Sequence, residues 1–148
     1  MRYYDTSALV KRYIIEPGRS EVVLLTEADR HPCTGVMSGA EVPSALAQAM
    51  RLGRLGAEQA AEMCLRFQRE WRQDYTFIAL DRELASEAGD LAWRHGLRGF
   101  DAAHLACARE VGRLYGEPVT LVTFDRRLWQ AARAEGLDVF PADLGGVH

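Results

Sequence analysis

The stretch Gly96-Leu97-Arg98-Gly99-Phe100-Asp101-Ala102-Ala103-His104-Leu105-Ala106-Cys107-Ala108 constrains this chain more than any other. A loop rich in small residues runs into an alanine-dense helix opening at or near Asp101, and Leu105, Ala106, Cys107 and Ala108 make that helix apolar almost all round. A helix with no polar face has to be buried, here against a sheet. Asp101 in its first turn has a plain explanation as a cap, accepting free backbone N–H groups at the positive end of the helix dipole. Burial complicates that explanation, because a carboxylate taken out of water needs a partner. The rest of the chain has to supply it.

Elsewhere strand and helix signals alternate. Tyr3-Tyr4 is a short aromatic strand that ends at Asp5-Thr6-Ser7, before the helical run from Ala8 to Tyr13. Glu16-Pro17-Gly18 turns the chain, and Ser20-Glu21 opens a second helix. Cys33 to Val36 is a weak strand, and Ser38-Gly39-Ala40-Glu41 has the Ser-x-x-Glu form of a capping box, leading a helix that runs to about Met50. A long helix from Ala57 to about Gln73 carries Arg66, Arg69 and Arg72. Phe77 to Leu80 reads as a strand, Asp81 as the N-cap of the next helix and Gly96 as its stop. Val119 to Thr123 is the strongest strand signal and runs into Phe124-Asp125; a short helix, a brief strand at Val139-Phe140 and a tail from Pro141 follow.

Strands alternating with helices imply a parallel sheet covered on both faces, because parallel neighbours need crossover helices. The expected fold is therefore an α/β three-layer sandwich, one domain over residues 1–148. With 48% hydrophobic and 26% charged residues the composition excludes disordered and collagen-like classes. No apolar run approaches a membrane span and the start does not resemble a signal peptide, so a cytoplasmic protein is expected. Cys33, Cys64 and Cys107 lack metal-ligand spacing and read as reduced, packed thiols. A net charge of -3 argues against coating nucleic acid by bulk charge, leaving local basic patches as the only route to such a contact.

In open α/β sheets ligands bind beyond the carboxyl ends of the strands, where the strand order reverses, and Asp5 and Asp125 each follow a strand. If the helices led by Glu41 and Asp101 start at the same edge, several carboxylates converge there without an obvious lysine or histidine. Such a cluster calls for a cation. All-oxygen ligation suits Mg²⁺ or Mn²⁺, and the chemistry suggested is metal-assisted hydrolysis of a phosphate ester.

The order of these motifs resembles the PIN-domain nucleases, and within them the VapC-type toxins of bacterial toxin-antitoxin pairs. The resemblance is carried by Tyr4-Asp5-Thr6-Ser7-Ala8-Leu9-Val10-Lys11, Ala40-Glu41-Val42, Leu97 to Ala106, and Leu121-Val122-Thr123-Phe124-Asp125, and spans nearly the whole chain. It implies a parallel sheet of about five strands, metal held by Asp5, Glu41, Asp101 and Asp125, and endonucleolytic cleavage of RNA. It also implies a homodimer and a small antitoxin partner. A tyrosine pair stands where aliphatic residues are commoner before the first aspartate, a departure that bears on packing.

On this reading Asp5 and Asp101 hold the principal ion and Asp125 and Glu41 complete the outer sphere or a second site. Water is the nucleophile, leaving a 3′-hydroxyl and a 5′-phosphate. Ser7 and Thr123 could orient a carboxylate or a water, or simply bond local backbone. Arg12, Arg98 and Arg126, with Lys11, Arg51, Arg54 and Arg127, are candidates for a basic rim gripping RNA phosphates. His104 reads as a packed, hydrogen-bonded core residue. Two other classes compete: a haloacid-dehalogenase-like phosphatase, which needs a second acid where Ser7 stands, and a non-catalytic PIN-like module whose acids would receive a partner's arginine.

Overall fold

The structure is a computed structural model and describes residues 1–145. Its elements in chain order are β1 (Arg2–Tyr4), α1 (Thr6–Leu9) extended by a 3-10 turn over Val10–Arg12, α2 (Arg19–Ala28), β2 (Cys33–Gly35), α3 (Ser38–Arg51), α4 (Ala57–Gln73), β3 (Thr76–Ile78), α5 (Arg82–His95), α6 (Gly99–Tyr115), β4 (Thr120–Val122), α7 (Arg126–Ala134) and β5 (Asp138–Phe140). The five strands form one sheet in the order β3-β2-β1-β4-β5, and every pairing is parallel. Connections turn one way from β1 out to β3 and the other way from β4 to β5. The order therefore reverses between β1 and β4, and the carboxyl ends of those two strands face the resulting crevice.

Successive strand residues point to opposite faces, and the tyrosine pair shows how that divides the core. Tyr3 lies with Leu84, Leu91, Leu105, Leu121 and Leu128 on the face covered by α5, α6 and α7. Tyr4 lies with Leu9, Val42, Leu46, Phe67 and Val122 on the face covered by α1, α3 and α4. This is the expected three-layer sandwich. Both tyrosines are fully buried, and the Tyr4 hydroxyl donates to Asp29 Oδ2 at 2.5 Å, so the departure from aliphatic residues leaves no hydroxyl unsatisfied there.

Helix α6 is the buried element its composition demands: Ala102 through Ala108 are all buried without a break, as is Val111. Small side chains allow this helix to sit close against the sheet. Its neighbour α5 starts with Asp81, whose Oδ1 accepts from Leu84 N at 2.9 Å, and stops at Gly96, where φ is 65°. The capping box expected at α3 is not formed. Met37 is the cap residue and makes no side-chain cap bond, while the Ser38 hydroxyl pairs with Thr34 Oγ1 at 2.8 Å. Glu41 is thereby left for other partners. Among the described residues no helix is long and apolar enough to cross a membrane.

Candidate active site

The turn from β1 into α1 places Asp5 at the N-cap of α1, 3% exposed, with Oδ1 accepting from Ala8 N at 2.9 Å. Ser7 Oγ stands 2.8 and 2.9 Å from the two carboxylate oxygens and donates to them, and Thr123 Oγ1 donates to Oδ2 at 2.7 Å. The same hydroxyls accept backbone protons: Phe124 N donates to Ser7 Oγ at 2.8 Å and Asp125 N to Thr123 Oγ1 at 3.1 Å. Ser7 and Thr123 therefore orient the Asp5 carboxylate and stitch the end of β1 to the end of β4. Burial nevertheless raises the Asp5 carboxyl above its ordinary value, against the lowering effect of His104, Thr123, Ser7 and Ala8.

Glu41 reaches the same edge from the first turn of α3. Its Oε2 accepts from Thr6 Oγ1 at 2.7 Å and from His104 Nε2 at 2.8 Å. Burial pushes this carboxyl up, but the hydrogen bond and charge of His104 and the Thr6 bond outweigh it, and the group sits below the usual range. Asp101, in the first turn of α6, behaves in the opposite way. Its carboxyl is raised, first by burial and then by the Asp125 charge, with Glu41 adding to it while His104 and Arg98 pull it down. Asp125 caps α7, its Oδ1 accepting from Leu128 N at 2.8 Å. Asp101 thus stands within the field of Asp125 and Glu41, and Asp5 is buried at the carboxyl end of β1, tied through Ser7 and Thr123 to the strand that leads to Asp125.

The expected basic rim is smaller in the structure. Arg12 is turned inward: its side chain is 14% exposed and its guanidinium pairs with Glu70 at 3.2 Å, so it joins α4 to the body of the fold. Lys11 is buried as well, donating to Glu16 Oε1 at 2.9 Å and to the Pro17 carbonyl at 2.7 Å beside the Phe124 ring. Arg98 is exposed at the start of α6 and lines a cleft of about 530 Å³ together with Thr6, Glu41, Gln48 and Phe100. Arg126 is exposed at the start of α7, and one of its nitrogens donates to the Gly145 carbonyl at 3.0 Å. His104 is the packed, hydrogen-bonded residue expected; what escaped the sequence reading is Thr6 and the contact of His104 with Glu41. A signal for the latter existed, since positions three apart share a helix face and His104 is three residues beyond Asp101.

Among the described residues no three His, Cys, Asp or Glu side chains stand close enough together to cage a metal ion. Mg²⁺ asks for less, since it keeps several waters and takes one or two carboxylates. Asp5, Glu41, Asp101 and Asp125 offer only oxygen donors, and Asp101 is raised first by burial and then by the Asp125 charge, a donor chemistry of the kind such an ion takes.

These features define a family. The pattern of the PIN domain matches residues 2–134, and the chain belongs to the PIN domain family. It is 34% identical over 146 residues to Ribonuclease VapC45 of Mycobacterium tuberculosis (strain CDC 1551 / Oshkosh), covering 96% of both chains. The figures are the same for Ribonuclease VapC49 of Mycobacterium tuberculosis (strain ATCC 25618 / H37Rv). Among solved structures, FitAB bound to an IR36 DNA fragment has a TM-score of 0.69 at 18% identity, covering 100% of both chains. PAE2754 from Pyrobaculum aerophilum has a TM-score of 0.64 at 21% identity, covering 93% of this chain and 87% of that one. At those identities the two structures speak for the fold.

Proposed function

We propose that this protein is an endoribonuclease dependent on Mg²⁺ or Mn²⁺, acting as the toxin of a toxin-antitoxin pair, with the whole of residues 1–148 forming one nuclease domain. The observation that carries the reading is the Asp5 carboxylate, buried and held by Ser7, Thr123 and the Ala8 amide at the strand-order switch of a PIN fold. Kinship with two proteins named as VapC ribonucleases supports RNA as substrate. Asp5 and Asp101 would hold the principal ion, with Asp125 and Glu41 in its outer sphere or at a second ion. When bound, that ion supplies charge neutralisation at the phosphate and an acidified water.

The chain's own residues do the remainder. Ser7, Thr123 and the Ala8 amide hold both Asp5 oxygens in one orientation, so this acid is a fixed charge and not a free nucleophile of the phosphatase kind. Arg98 and Arg126, both exposed near the acids, would grip RNA phosphates; Arg12 would not. Attack by water leaves a 3′-hydroxyl and a 5′-phosphate. The protein would act in the cytoplasm as a homodimer, held in check by a small antitoxin that offers an arginine to the acids, whose guanidinium fork matches a carboxylate. Cleavage of total RNA with Mg²⁺, with Mn²⁺ and with EDTA tests the reading. Cutting that is indifferent to EDTA overturns it, as does RNA binding without any metal-dependent cutting.

A further inference from the structure

The site contains a buried polar chain that the proposed chemistry leaves unused. His104 is 2% exposed, yet both ring nitrogens are engaged: Nδ1 with the Tyr3 hydroxyl at 2.8 Å and Nε2 with Glu41 Oε2 at 2.8 Å. A carboxylate can only accept, so Nε2 carries the proton of that bond whatever the charge on the ring. Thr6 Oγ1 donates to the same oxygen at 2.7 Å and lies 3.2 Å from Nε2. Oε2 is therefore occupied by two donors, and Glu41 can offer a ligand only its other oxygen. The carboxylate itself lies on a side chain 23% exposed, beside the cleft that Arg98 and Phe100 line. A long, half-exposed glutamate has several rotamers open to it unless something holds it.

Tyr3 is what holds the ring. Its side chain is fully buried on the α6 face of β1 and its ring meets that of His104 edge-on, 5.9 Å between centroids. The adjoining strand makes room for the phenol end: a Cβ at Gly35 would lie 2.7 Å from the Tyr3 hydroxyl and 2.3 Å from Met37 Sδ, so only glycine admits the tyrosine in this position. Burial holds the Tyr3 phenol protonated, its pKa raised well above the ordinary value. The tyrosine is also the residue by which this chain departs from an aliphatic first strand.

We infer that Tyr3 and His104 form a buried strut that fixes the Glu41 carboxylate, with Tyr3 acting only through His104; both are positioning residues for the acid site. The inference rests on Glu41 being part of the nuclease site proposed above. Outer partners of metal-site ligands are worth about 10- to 100-fold in metal affinity or activity. Tyr3→Phe should accordingly lower Mn²⁺ affinity and RNA cleavage by roughly 10-fold, with KM for RNA unchanged. His104→Gln keeps a donor near the Nε2 position but no ring atom for Tyr3, and His104→Asn keeps only the Tyr3 side. The glutamine variant should therefore be the more active of the two.

The deciding experiment is a double-mutant cycle. Adding Tyr3→Phe to His104→Gln should change cleavage and Mn²⁺ affinity by less than about twofold, because residues acting as one unit do not add. Losses that multiply in full, or a Tyr3→Phe protein as active and as metal-avid as the parent, overturn the strut. A second readout needs neither metal nor RNA: the His104 Nε2 proton, followed by ring ¹⁵N NMR, should exchange slowly with solvent in the parent and at least 10-fold faster in Tyr3→Phe. Equal exchange in the two proteins also overturns the inference. If the parent neither binds Mn²⁺ nor cuts RNA, the nuclease reading is at fault, and the exchange measurement still decides whether Tyr3 anchors the ring.

Discussion

Two clusters of acids lie at opposite ends of helix α6, and they are built on opposite principles. At its C-terminal half, Glu135 accepts from Arg94 at 2.7 Å and His95 at 2.6 Å and pairs with Arg109, while Glu87 pairs with Arg109 at 3.1 Å and Arg113 at 2.8 Å. Every acid there has a basic partner, and the cluster ties α5, α6 and α7 together. At the N-terminal end, among the described residues, the one ion pair made by Asp5, Glu41, Asp101 or Asp125 is that of Glu41 with His104. The carboxyls respond accordingly. Burial lifts Glu135, but His95, Arg94 and Arg109 bring it below its usual range; Asp5 and Asp101 are left above theirs. Acid density alone says little about a protein, and acid density without counter-charge points to a ligand.

The sharpest way to break that contrast is to remove one charge from the uncompensated end. Asp101→Asn and Asp5→Asn should each lower RNA cleavage on the order of 10³-fold, since charge stabilisation worth several kcal/mol is lost and each 1.36 kcal/mol is tenfold. Stability should hold or rise, because a carboxyl whose folded pKa is raised destabilises the fold while it is ionised. Melting curves beside single-turnover cleavage check this, and a variant that loses activity only in proportion to its folded fraction would make the acid structural.

The compensated end should answer in the opposite sense. Glu135→Gln should cost about 1.5 to 3 kcal/mol at pH 7, the range for charged hydrogen bonds, and leave cleavage unchanged. The pH dependences separate the two clusters further. Glu135 has a lowered folded pKa, so its contribution is present above the unfolded value and vanishes as pH falls through the folded one. Asp101 has a raised folded pKa, so the favourable contribution of its protonated form is complete below the unfolded value, about 3.9, and is lost as pH rises through the folded value. Denaturant unfolding between pH 3 and 7 should show the penalty of Glu135→Gln shrinking toward acid and the gain from Asp101→Asn also shrinking, from the other side of zero. Curves that move together would erase the distinction.

What could be read from residues alone follows the same division between local and distant causes. The apolar girth of α6, the Asp81 cap, the Gly96 stop and the aspartates after two strands are set by neighbours in sequence, and each was visible there. The Glu41 contact with His104 depends on how β1, α3 and α6 meet in space, and only the three-residue offset from Asp101 hinted that His104 shared its face. Ser38-x-x-Glu41 misled because a hydroxyl and an acid at the right spacing say nothing of stronger partners nearby, here Thr34, Thr6 and His104. Lys11 and Arg12 misled for a similar reason. A positive side chain in the sequence carries no sign of the acid it faces, and Glu16 and Glu70 take these two out of the rim.

The finest test uses two aspartates that are alike in everything but surroundings. Asp81 and Asp125 both follow a strand and both cap a helix, accepting from the amide three residues on at 2.9 and 2.8 Å. Asparagine caps about as well as aspartate, whereas alanine does not cap at all. Asp81→Ala should then cost about 0.5 to 2 kcal/mol and Asp81→Asn almost nothing, with cleavage at the parental rate in both, because among the described residues the carboxylate accepts only the cap bond from Leu84 N. Asp125→Asn should be as stable as Asp81→Asn, since the bond to Leu128 survives, yet lose cleavage, since one charge of the proposed ion site is gone. Thermal melts and initial rates on one RNA substrate separate the two properties. Should Asp81→Asn fall in activity with its melt intact, Asp81 belongs to the acid site, and the boundary drawn here between a capping acid and a site acid is in the wrong place.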